Sequence, residues 1–316
     1  MDWRPSASLE HLRARAGLYR QIREYFYAHD VLEVDTPLVA SSGVSDPHVL
    51  NYRVFHHRDN RQSGFLQTSP EYAMKRLLAA GAPSIYQLGK AFRDEEQGRY
   101  HNPEFTLLEW YRLNWDHHQL MVEISDLLSE LLGTPKASKM SYHECFEHFV
   151  KVDIYALSDK QLQELVRTQA NYLGDDESRD TLLQLLFSNL IEPHLGIDAP
   201  CFVYDYPISQ AALARASEED PRCAHRFELF IRGVELGNGF YELRDPQEQA
   251  KRFASDNQER LELGLPTMAS DEKLLAALES GLPDCAGFAM GIDRLLLLKT
   301  KATSIGELIA FDSGTC

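Results

Sequence analysis

The sequence predicts an α+β fold in which amphipathic helices flank a β-sheet. Residues 92–111 are typical of a strand, a charged loop and a second strand, because β-type side chains lie on both sides of the polar segment 96–103. Strand patterns return at residues 201–207 and 226–243. Helices are predicted at residues 8–29, 69–80, 116–132, 246–263 and 271–280.

The charge balance of the chain is acidic. The net charge is −16, with 48 acidic residues against 32 lysines and arginines, and no lysine- or arginine-rich run occurs. Proteins that grip nucleic acid need cationic surface to neutralise phosphates. The composition therefore disfavours tRNA or DNA as the main partner.

Neither a signal peptide nor an apolar run long enough to span a bilayer is present, so we expect no membrane association. The five cysteines form no C-x-x-C pair, which favours reduced thiols in a cytoplasmic protein over disulfides or a zinc site: Cys145, Cys201, Cys223, Cys285 and Cys316. The pairs His56-His57 and His117-His118 lack metal-ligand spacing, and we expect them at the surface.

The segment 92–111 contains the first candidate site residues. Arg93 supplies a planar cation suited to phosphate, and Glu95 can hold an adenine amine or orient that arginine. In the second strand, a period of two places a carboxylate and a phenol beside two apolar side chains on one face: Phe105, Leu107, Glu109 and Tyr111. Taken alone, the segment is better explained as a hairpin with solvated charges, and the later segments change that interpretation.

A helix is predicted to begin at Ser69-Pro70-Glu71, with the serine as cap, the proline at the first position and the carboxylate in the first turn. Glu71 is equally well explained as a residue that matches the helix dipole.

In GVELGNGFYEL, simple alternation places four residues on one face: Leu236, Asn238, Phe240 and Glu242. Glu235 falls on the opposite face, but Gly237 and Gly239 allow a bulge that would move Glu235 to the same face as the other four residues. Glu228 could then join Glu235 in holding Mg²⁺ on a polyphosphate.

Residues 285–300 predict a small-residue strand that turns at Gly291 into a helix. Arg294 lies in the first helical turn, where an arginine and backbone amides favour an anion. The alternative is a buried helix with Asp293 as its first-turn acid.

Together these segments resemble the three signature motifs of class II aminoacyl-tRNA synthetases, carried here by residues 31–37, by FRDE with its loop and following strand, and by GIDRLLLL. TSPE, RYHNPEFTLLEWY, ELGNGFYEL and GIDR resemble the lysyl-tRNA synthetase branch. The resemblance implies a class II catalytic core, with a mixed, mostly antiparallel sheet flanked by helices and a helical insertion at about residues 133–200. It implies one catalytic domain over residues 1–316, without an N-terminal anticodon-binding OB domain.

A core with SPEYAMKRLL, GRYHNPEFTLLEWY and GLPDCAG is also similar to the family of elongation factor P–(R)-β-lysine ligases. That family activates (R)-β-lysine as an adenylate and transfers it to the ε-amine of one lysine of elongation factor P. The resemblance implies ATP and Mg²⁺ as cofactors and elongation factor P as partner. It also implies a homodimer formed through residues 29–39 and the preceding helix.

Residue by residue, the resemblance implies a set of roles. Arg93 and Arg294 would be catalytic, and Glu228 and Glu235 would bind the metal. The ATP-binding residues would be Arg93, Asp94, Glu95, Asn102, Glu235, Leu236, Gly291 and Arg294. The substrate-binding residues would be Ser69, Pro70, Glu71, Glu109, Tyr111, Asn238, Phe240, Glu242 and Ala289.

One position departs from the family pattern. Synthetases usually carry glycine where this chain has Ala289, two residues before Gly291. The additional methyl group is predicted to favour a β-amino over an α-amino acid, by a modest 1–3 kcal/mol.

Two alternatives stay open at this point. A lysyl-tRNA synthetase-like core that activates α-lysine would share every pocket residue. A non-catalytic regulatory paralogue would have a broken ATP site, whereas the ATP-binding residues are present here. An asparagine-synthetase-like ligase is disfavoured, because its acidic substrate would meet three carboxylates, Glu71, Glu109 and Glu242.

Overall fold

The computed structural model describes residues 3–94, 97–174 and 178–315. The chain divides into two compact units, which are described separately. Unit 1 contains Met1–Trp115 and Leu243–Cys316, and unit 2 contains Asp116–Glu242. The single catalytic domain over residues 1–316 stays a prediction.

The helices and strands follow one another along the chain in a mixed order. The α-helices are α1 (Leu9–Ala28), α2 (Glu71–Ala79), α3 (His117–Leu132), α4 (Tyr142–Cys145), α5 (Asp159–Gln169), α6 (Arg179–Leu186), α7 (Pro246–Glu262), α8 (Glu272–Gly281) and α9 (Ile292–Thr300). The strands are β1 (Leu32–Glu33), β2 (Val39–Ala40), β3 (Arg53–Phe55), β4 (Gln62–Leu66), β5 (Ile85–Phe92), β6 (Glu104–Leu113), β7 (Ser138–Ser141), β8 (Cys201–Pro207), β9 (Cys223–Ile231), β10 (Val234–Tyr241) and β11 (Cys285–Gly291).

Unit 1 contains strands in the order β1-β5-β6-β11, and a smaller sheet in the order β2-β4-β3. Only the β1–β5 pair is parallel; the other pairs of these two sets are antiparallel. One face of the larger set is apolar: Phe26 of α1 packs its ring on Tyr86 and Trp110, and Trp110 contacts Phe288. The opposite face is therefore the one available for polar side chains.

Unit 2 contains strands in the order β10-β9-β8-β7, of which only β7 and β8 are parallel. Residues 133–200 are mostly helical, with β7 as their one described strand. Their apolar side chains form a core with those of β8 and β9: Tyr142, Phe146, Phe187, Tyr206 and Phe230. The predicted mixed, mostly antiparallel α+β fold is confirmed in both units.

Local sequence signals account for most helix ends. The Ser8 side chain accepts a hydrogen bond from the His11 backbone N–H and begins α1, as predicted. Asp116 and Gln119 form a capping box on α3, which ends at Gly133 in the left-handed conformation. The prediction of Ser69 as the cap of α2 is wrong, because Pro70 occupies that position.

The segment 29–39 is mostly irregular. Only β1 and β2 form there, with two residues each. The Thr36 backbone N–H donates to the Gln87 side chain at 2.9 Å instead of to a neighbouring strand, and Pro37 has no N–H to donate. At Thr36 a side-chain oxygen thus takes the place of the backbone carbonyl that a neighbouring strand would offer.

The four described cysteines are buried and form no disulfide with one another, and Cys316 lies outside the described residues. Burial raises the pKa of the Cys145, Cys201 and Cys223 thiols, which keeps them protonated. Among the described helices, none has the length and apolarity required to cross a bilayer.

Asp293 connects three elements of unit 1. Arg15 of α1 donates to its Oδ1 at 2.5 Å, and the Thr106 backbone N–H of β6 donates to its Oδ2 at 2.7 Å. The two charged side chains are only 14% and 4% exposed. Asp293 is therefore a buried first-turn acid of α9 with a structural role, and this leaves the role of the neighbouring Arg294 open.

Replacing Asp293 with alanine removes the acceptor of a largely buried guanidinium and of a backbone amide. We expect the free energy of unfolding, measured with urea, to fall by about 3 kcal/mol. Glu24→Ala is the control, because Glu24 pairs with Arg20 where both side chains are mostly exposed, at 66% and 79%. That variant should lose less than about 0.5 kcal/mol. Equal losses in both variants would contradict the structural role of Asp293.

Candidate active site

The polar face of unit 1 is organised around Glu109 of β6. Tyr111 lies two residues further along the same face and donates its hydroxyl hydrogen to Glu109 Oε1 at 2.7 Å. Both side chains are 2% exposed. A carboxylate and a phenol are thus held together in a low-dielectric setting, where a cationic ligand would be strongly attracted.

Small residues of the neighbouring strands lie beside this pair on the β11 side and beside Leu107 and Phe105 on the β5 side. On β11, the residues opposite Leu107, Glu109 and Tyr111 are Gly291, Ala289 and Gly287. On β5, Gly89 and Ala91 lie opposite Leu107 and Phe105. Because facing residues of paired strands share a face, only small side chains flank Glu109 on the β11 side. Ala289 is the direct neighbour of Glu109, which is where the sequence places a determinant of substrate choice.

A second group of polar residues supports the same face and was not identified from the sequence. Gln87 lies opposite Glu109 on β5, and its Oε1 accepts from the Thr36 backbone N–H. Thr36 in turn donates its hydroxyl hydrogen to Gln67 Oε1 at 3.3 Å, and Gln67 Nε2 donates to the Lys90 carbonyl at 2.8 Å. All three side chains are buried. Their hydrogen bonds join the segment 34–37 to β5.

Arg93 follows β5 at the start of the charged loop. Its backbone N–H donates to the Pro103 carbonyl at 2.9 Å, which closes the strand–loop–strand unit. Its guanidinium lies over the Phe105 ring, 5.2 Å from the centroid, so the cation sits above the polar face. The Asp94 backbone N–H donates to the Leu50 carbonyl at 3.0 Å. Glu95, the candidate adenine contact, lies outside the described residues.

The far end of this loop is bonded to the C-terminal segment. Asn102 Oδ1 accepts from the Ser313 backbone N–H at 3.1 Å, and its Nδ2 donates to the Glu104 carbonyl at 2.7 Å. Arg99 Nε donates to the Thr303 carbonyl at 2.8 Å, and the Arg99 carbonyl accepts from the Ile305 backbone N–H at 3.0 Å. Asn102 therefore positions the loop, and its contact with adenine stays a prediction.

Arg294 lies beside the same loop. Its Nε donates to the Tyr100 carbonyl at 3.2 Å, and its Nη2 donates to His101 Nε2 at 2.6 Å. Gly291, the last residue of β11, occupies the N-cap of α9. A helix N-terminus and a guanidinium are both attractive to anions, and anion binding by Arg294 stays a prediction.

Glu71 begins α2, and its carboxylate already has a cationic partner. Lys75, one turn later, donates from Nζ to Glu71 Oε1 at 2.7 Å. The Lys75 side chain is 1% exposed and that of Glu71 16% exposed. Ser69 Oγ accepts from the Glu71 backbone N–H at 3.4 Å. A substrate ammonium would share Glu71 with this lysine, a partner that sequence reasoning missed.

In unit 2, β10 contains the predicted bulge. Glu235 pairs with Phe230 and Asn238 pairs with Glu228, and the register shifts between Glu235 and Gly237. Three steps along β10 therefore match two along β9, which brings Glu235 onto the face of Glu228 and Asn238. Simple alternation through Leu236 is wrong, because Leu236 is the additional residue of the bulge and has no partner in the register.

Glu228 is held by two donors. Tyr206 donates its hydroxyl hydrogen to Oε2 at 2.7 Å, and Arg226 donates from Nη2 to Oε1 at 2.5 Å. Burial, together with the neighbouring Glu235 carboxylate, raises the pKa of Glu228 despite the opposing effect of Arg226. Two carboxylates that repel each other on one sheet face fit a divalent cation, since each oxygen of Glu228 keeps a second lone pair.

The remaining unit 2 candidates lie further along β10. Asn238 is half-buried, and Phe240, opposite Arg226, is buried. Glu242 is 1% exposed and pairs through its backbone with Ala214. The structure thus groups Glu228, Glu235, Asn238 and Phe240 on one strand pair.

Two further groups escaped sequence reasoning. Arg226 is two residues from Glu228 in a strand, and that spacing could have predicted their ion pair. The expectation of surface histidines is wrong for His117, which is 3% exposed, whereas His56, His57 and His118 are exposed. No sequence signal indicated this burial, because His117 is enclosed by residues distant in the chain.

Comparison with known proteins adds a family and close relatives. A sequence model of the family described as tRNA synthetases class II (D, K and N) matches residues 1–314. The chain is 50% identical over 315 residues to the elongation factor P–(R)-β-lysine ligase of Vibrio cholerae, covering 98% of this chain and 97% of that protein. Proteins of the same name from Proteus mirabilis and Vibrio vulnificus are 46% and 49% identical, covering 98% of this chain and 97% and 98% of theirs.

Proposed function

Because this chain belongs to the class II tRNA synthetase family of the D, K and N type, we propose that it is an ATP-dependent ligase for (R)-β-lysine and elongation factor P. It would activate the amino acid as an adenylate and transfer it to the ε-amine of a lysine on the acceptor. The observation that carries the proposal is 50% identity, over nearly the whole chain, to a ligase named for this amino acid and acceptor. We place the reaction in the cytoplasm, where the acceptor acts in translation.

In the first step the substrate carboxylate attacks the α-phosphorus of ATP, and pyrophosphate leaves. The protein contributes position and charge rather than a covalent intermediate. Arg93 and Arg294 would neutralise phosphate charge, the backbone at Gly291 would approach the nucleotide, and Asp94, Glu95, Asn102 and Leu236 would complete its binding. Magnesium ion, held by Glu228 and Glu235, would supply further neutralisation of the polyphosphate.

The amino-acid substrate carries two ammonium groups, so it needs more than one carboxylate. Glu109, buried and bonded to Tyr111, supports this role most directly. Glu71 and Glu242 would contribute further negative charge. Ser69, Pro70, Asn238 and Phe240 would shape the binding surface, and Ala289, opposite Glu109, would limit its width.

In the second step a neutral lysine amine of the acceptor attacks the carbonyl carbon of the adenylate, and AMP leaves. The described site residues include no histidine placed as a general base, so the amine proton would leave through the phosphate or water. The acidic chain, with a net charge of −16, supports a protein acceptor better than tRNA.

The deciding experiment is ATP–pyrophosphate exchange by the purified protein with (R)-β-lysine, with α-lysine and with no amino acid. We expect strong exchange with (R)-β-lysine and weak exchange with α-lysine, followed by a matching mass increase on elongation factor P. Preference for α-lysine would favour the lysyl-tRNA synthetase-like alternative. Exchange with neither amino acid would favour the regulatory paralogue.

The two arginines provide a second test. Arg93→Ala and Arg294→Ala should each lower kcat/KM for exchange by about 100-fold or more, equivalent to roughly 3 kcal/mol of lost transition-state stabilisation. Arg13→Ala, on an exposed position of α1, is the matched control and should leave exchange unchanged. An activity close to wild type in either site variant would remove that arginine from the mechanism.

Ala289→Gly tests the origin of substrate choice. Removing the methyl group opposite Glu109 should shift kcat/KM towards α-lysine by roughly tenfold, within the range expected for one methyl group. Ala286→Gly is the matched control, because it is the same substitution at a position on the opposite face of β11. An unchanged ratio of α-lysine to (R)-β-lysine use in Ala289→Gly would exclude this explanation.

We also expect two copies of the chain to associate. Exposed apolar side chains cluster in and beside the segment 29–39: Tyr27 at 87%, Leu32 at 52% and Val39 at 47%. Light scattering should report twice the mass of one chain, and Val39→Glu should halve it. Leu261→Glu, at a position of similar exposure on α7, is the control and should stay dimeric. A wild-type protein with the mass of one chain would rule the dimer out.

A further inference from the structure

Unit 2 contains a second cluster of chemically active side chains, separate from the residues assigned above. His117, Asp205 and His225 come from three different elements, and their nearest ligand atoms all lie within 4.8 Å of one another. His225 Nδ1 and Asp205 Oδ1 lie 3.4 Å apart. Two imidazoles and one carboxylate form a ligand set typical of transition-metal sites.

The fold holds each of these residues in place. His117 is the first residue of α3, directly after the Asp116 capping box. Asp205 lies opposite a bulge of β9: between the pairs Tyr204–Phe227 and Tyr206–Ala224, one residue of β8 faces two of β9, and His225 is one of those two. Asp205 itself has a left-handed φ of 55°. Bulges of this kind re-aim a side chain and frequently lie beside functional sites. The backbone N–H of His225 donates to the Arg215 carbonyl at 2.8 Å.

His117 supplies an independent sign that a ligand belongs here. Its side chain is 3% exposed, yet neither ring nitrogen has a hydrogen-bond partner. Leaving a buried polar group unsatisfied is unfavourable, and native structures seldom do so without an ion, a water or a reactive role. Burial, together with His118, His225 and Lys139, lowers the pKa of His117 to about 2. A buried imidazole without a partner thus marks a place where a bound ligand would complete its bonding.

We propose that His117, Asp205 and His225 bind one divalent transition-metal ion, such as Zn²⁺ or Co²⁺, through two nitrogens and one carboxylate oxygen. Bonds of about 2.0–2.1 Å to a tetrahedral ion place ligand atoms about 3.4 Å apart. Asp205 and His225 already have that separation.

His117 must turn towards the other two ligands, because its ring stacks on that of His225 with centroids 4.5 Å apart. Solvent would occupy the fourth position, and the nearby Lys139 ammonium would weaken binding without removing a ligand. None of the three metal ligands belongs to the residues proposed for the ligase reaction. The metal site therefore does not depend on the proposed ligase function.

The test is titration of the metal-free, full-length protein with Co²⁺, followed by the visible d–d bands that four-coordinate nitrogen and oxygen ligation intensifies. We expect one Co²⁺ per chain, displaced by Zn²⁺. Asp205→Asn and His225→Asn should weaken binding by about 100-fold or more, since loss of an outer partner of a metal ligand alone costs 10–100-fold. Asparagine tolerates the left-handed conformation of Asp205, so that variant keeps the bulge.

His118→Asn is the matched control, because His118 is exposed, adjacent to His117 and in ring contact with it at a centroid distance of 4.1 Å, but outside the ligand set. It should bind Co²⁺ as the wild type does. Thermal unfolding without metal verifies that each variant is folded. The proposal is overturned if the wild type binds no Co²⁺, if Asp205→Asn and His225→Asn bind it as tightly as the wild type, or if His118→Asn loses it equally.

Discussion

A carboxylate removed from water must be compensated by donors that the fold supplies, and this constraint governs the polar structure of both units. Three acids of the candidate site have their own donors: Tyr111 for Glu109, Lys75 for Glu71, and Tyr206 with Arg226 for Glu228. Asp293 is compensated by Arg15 and the Thr106 amide. The same donors fix the direction of each carboxylate, so the negative charge is already positioned before any cationic ligand arrives.

This arrangement explains why the small residues of β11 matter as much as the charged ones of β6. Glu109 is buried, and its neighbours on β11 are glycine and alanine residues. A single methyl group at Ala289 then changes the width of the space next to a fixed charge. Substrate choice in such a site depends on shape, while affinity for an ammonium group depends on the buried carboxylate.

Much of this could be predicted from the sequence, because it rests on local periodicity. The alternation in β6 groups Glu109 with Tyr111, and the two glycines after Glu235 indicate a bulge before the register is known. Partners across strands and helices were beyond such reasoning. Nothing in the helical pattern around Lys75 distinguished it from an ordinary surface lysine. The hydrogen bonds that join Gln67, Thr36 and Gln87 depend on three segments that meet only in the folded chain. The burial of His117 has the same origin.

The loop that follows Arg93 has its shape set from the far end of the sequence. The Ser313 backbone N–H donates to the Asn102 side chain. The Arg99 side chain donates to the Thr303 carbonyl, and the Arg99 carbonyl accepts from the Ile305 backbone N–H. The C-terminal partners in these bonds are backbone groups, the Thr303 carbonyl and the Ile305 and Ser313 N–H groups. The loop therefore depends on the backbone path of a segment about 200 positions later in the chain, and not on the side chains of that segment. Substitutions there are tolerated as long as the path is kept, whereas shortening the segment would remove the support of the loop.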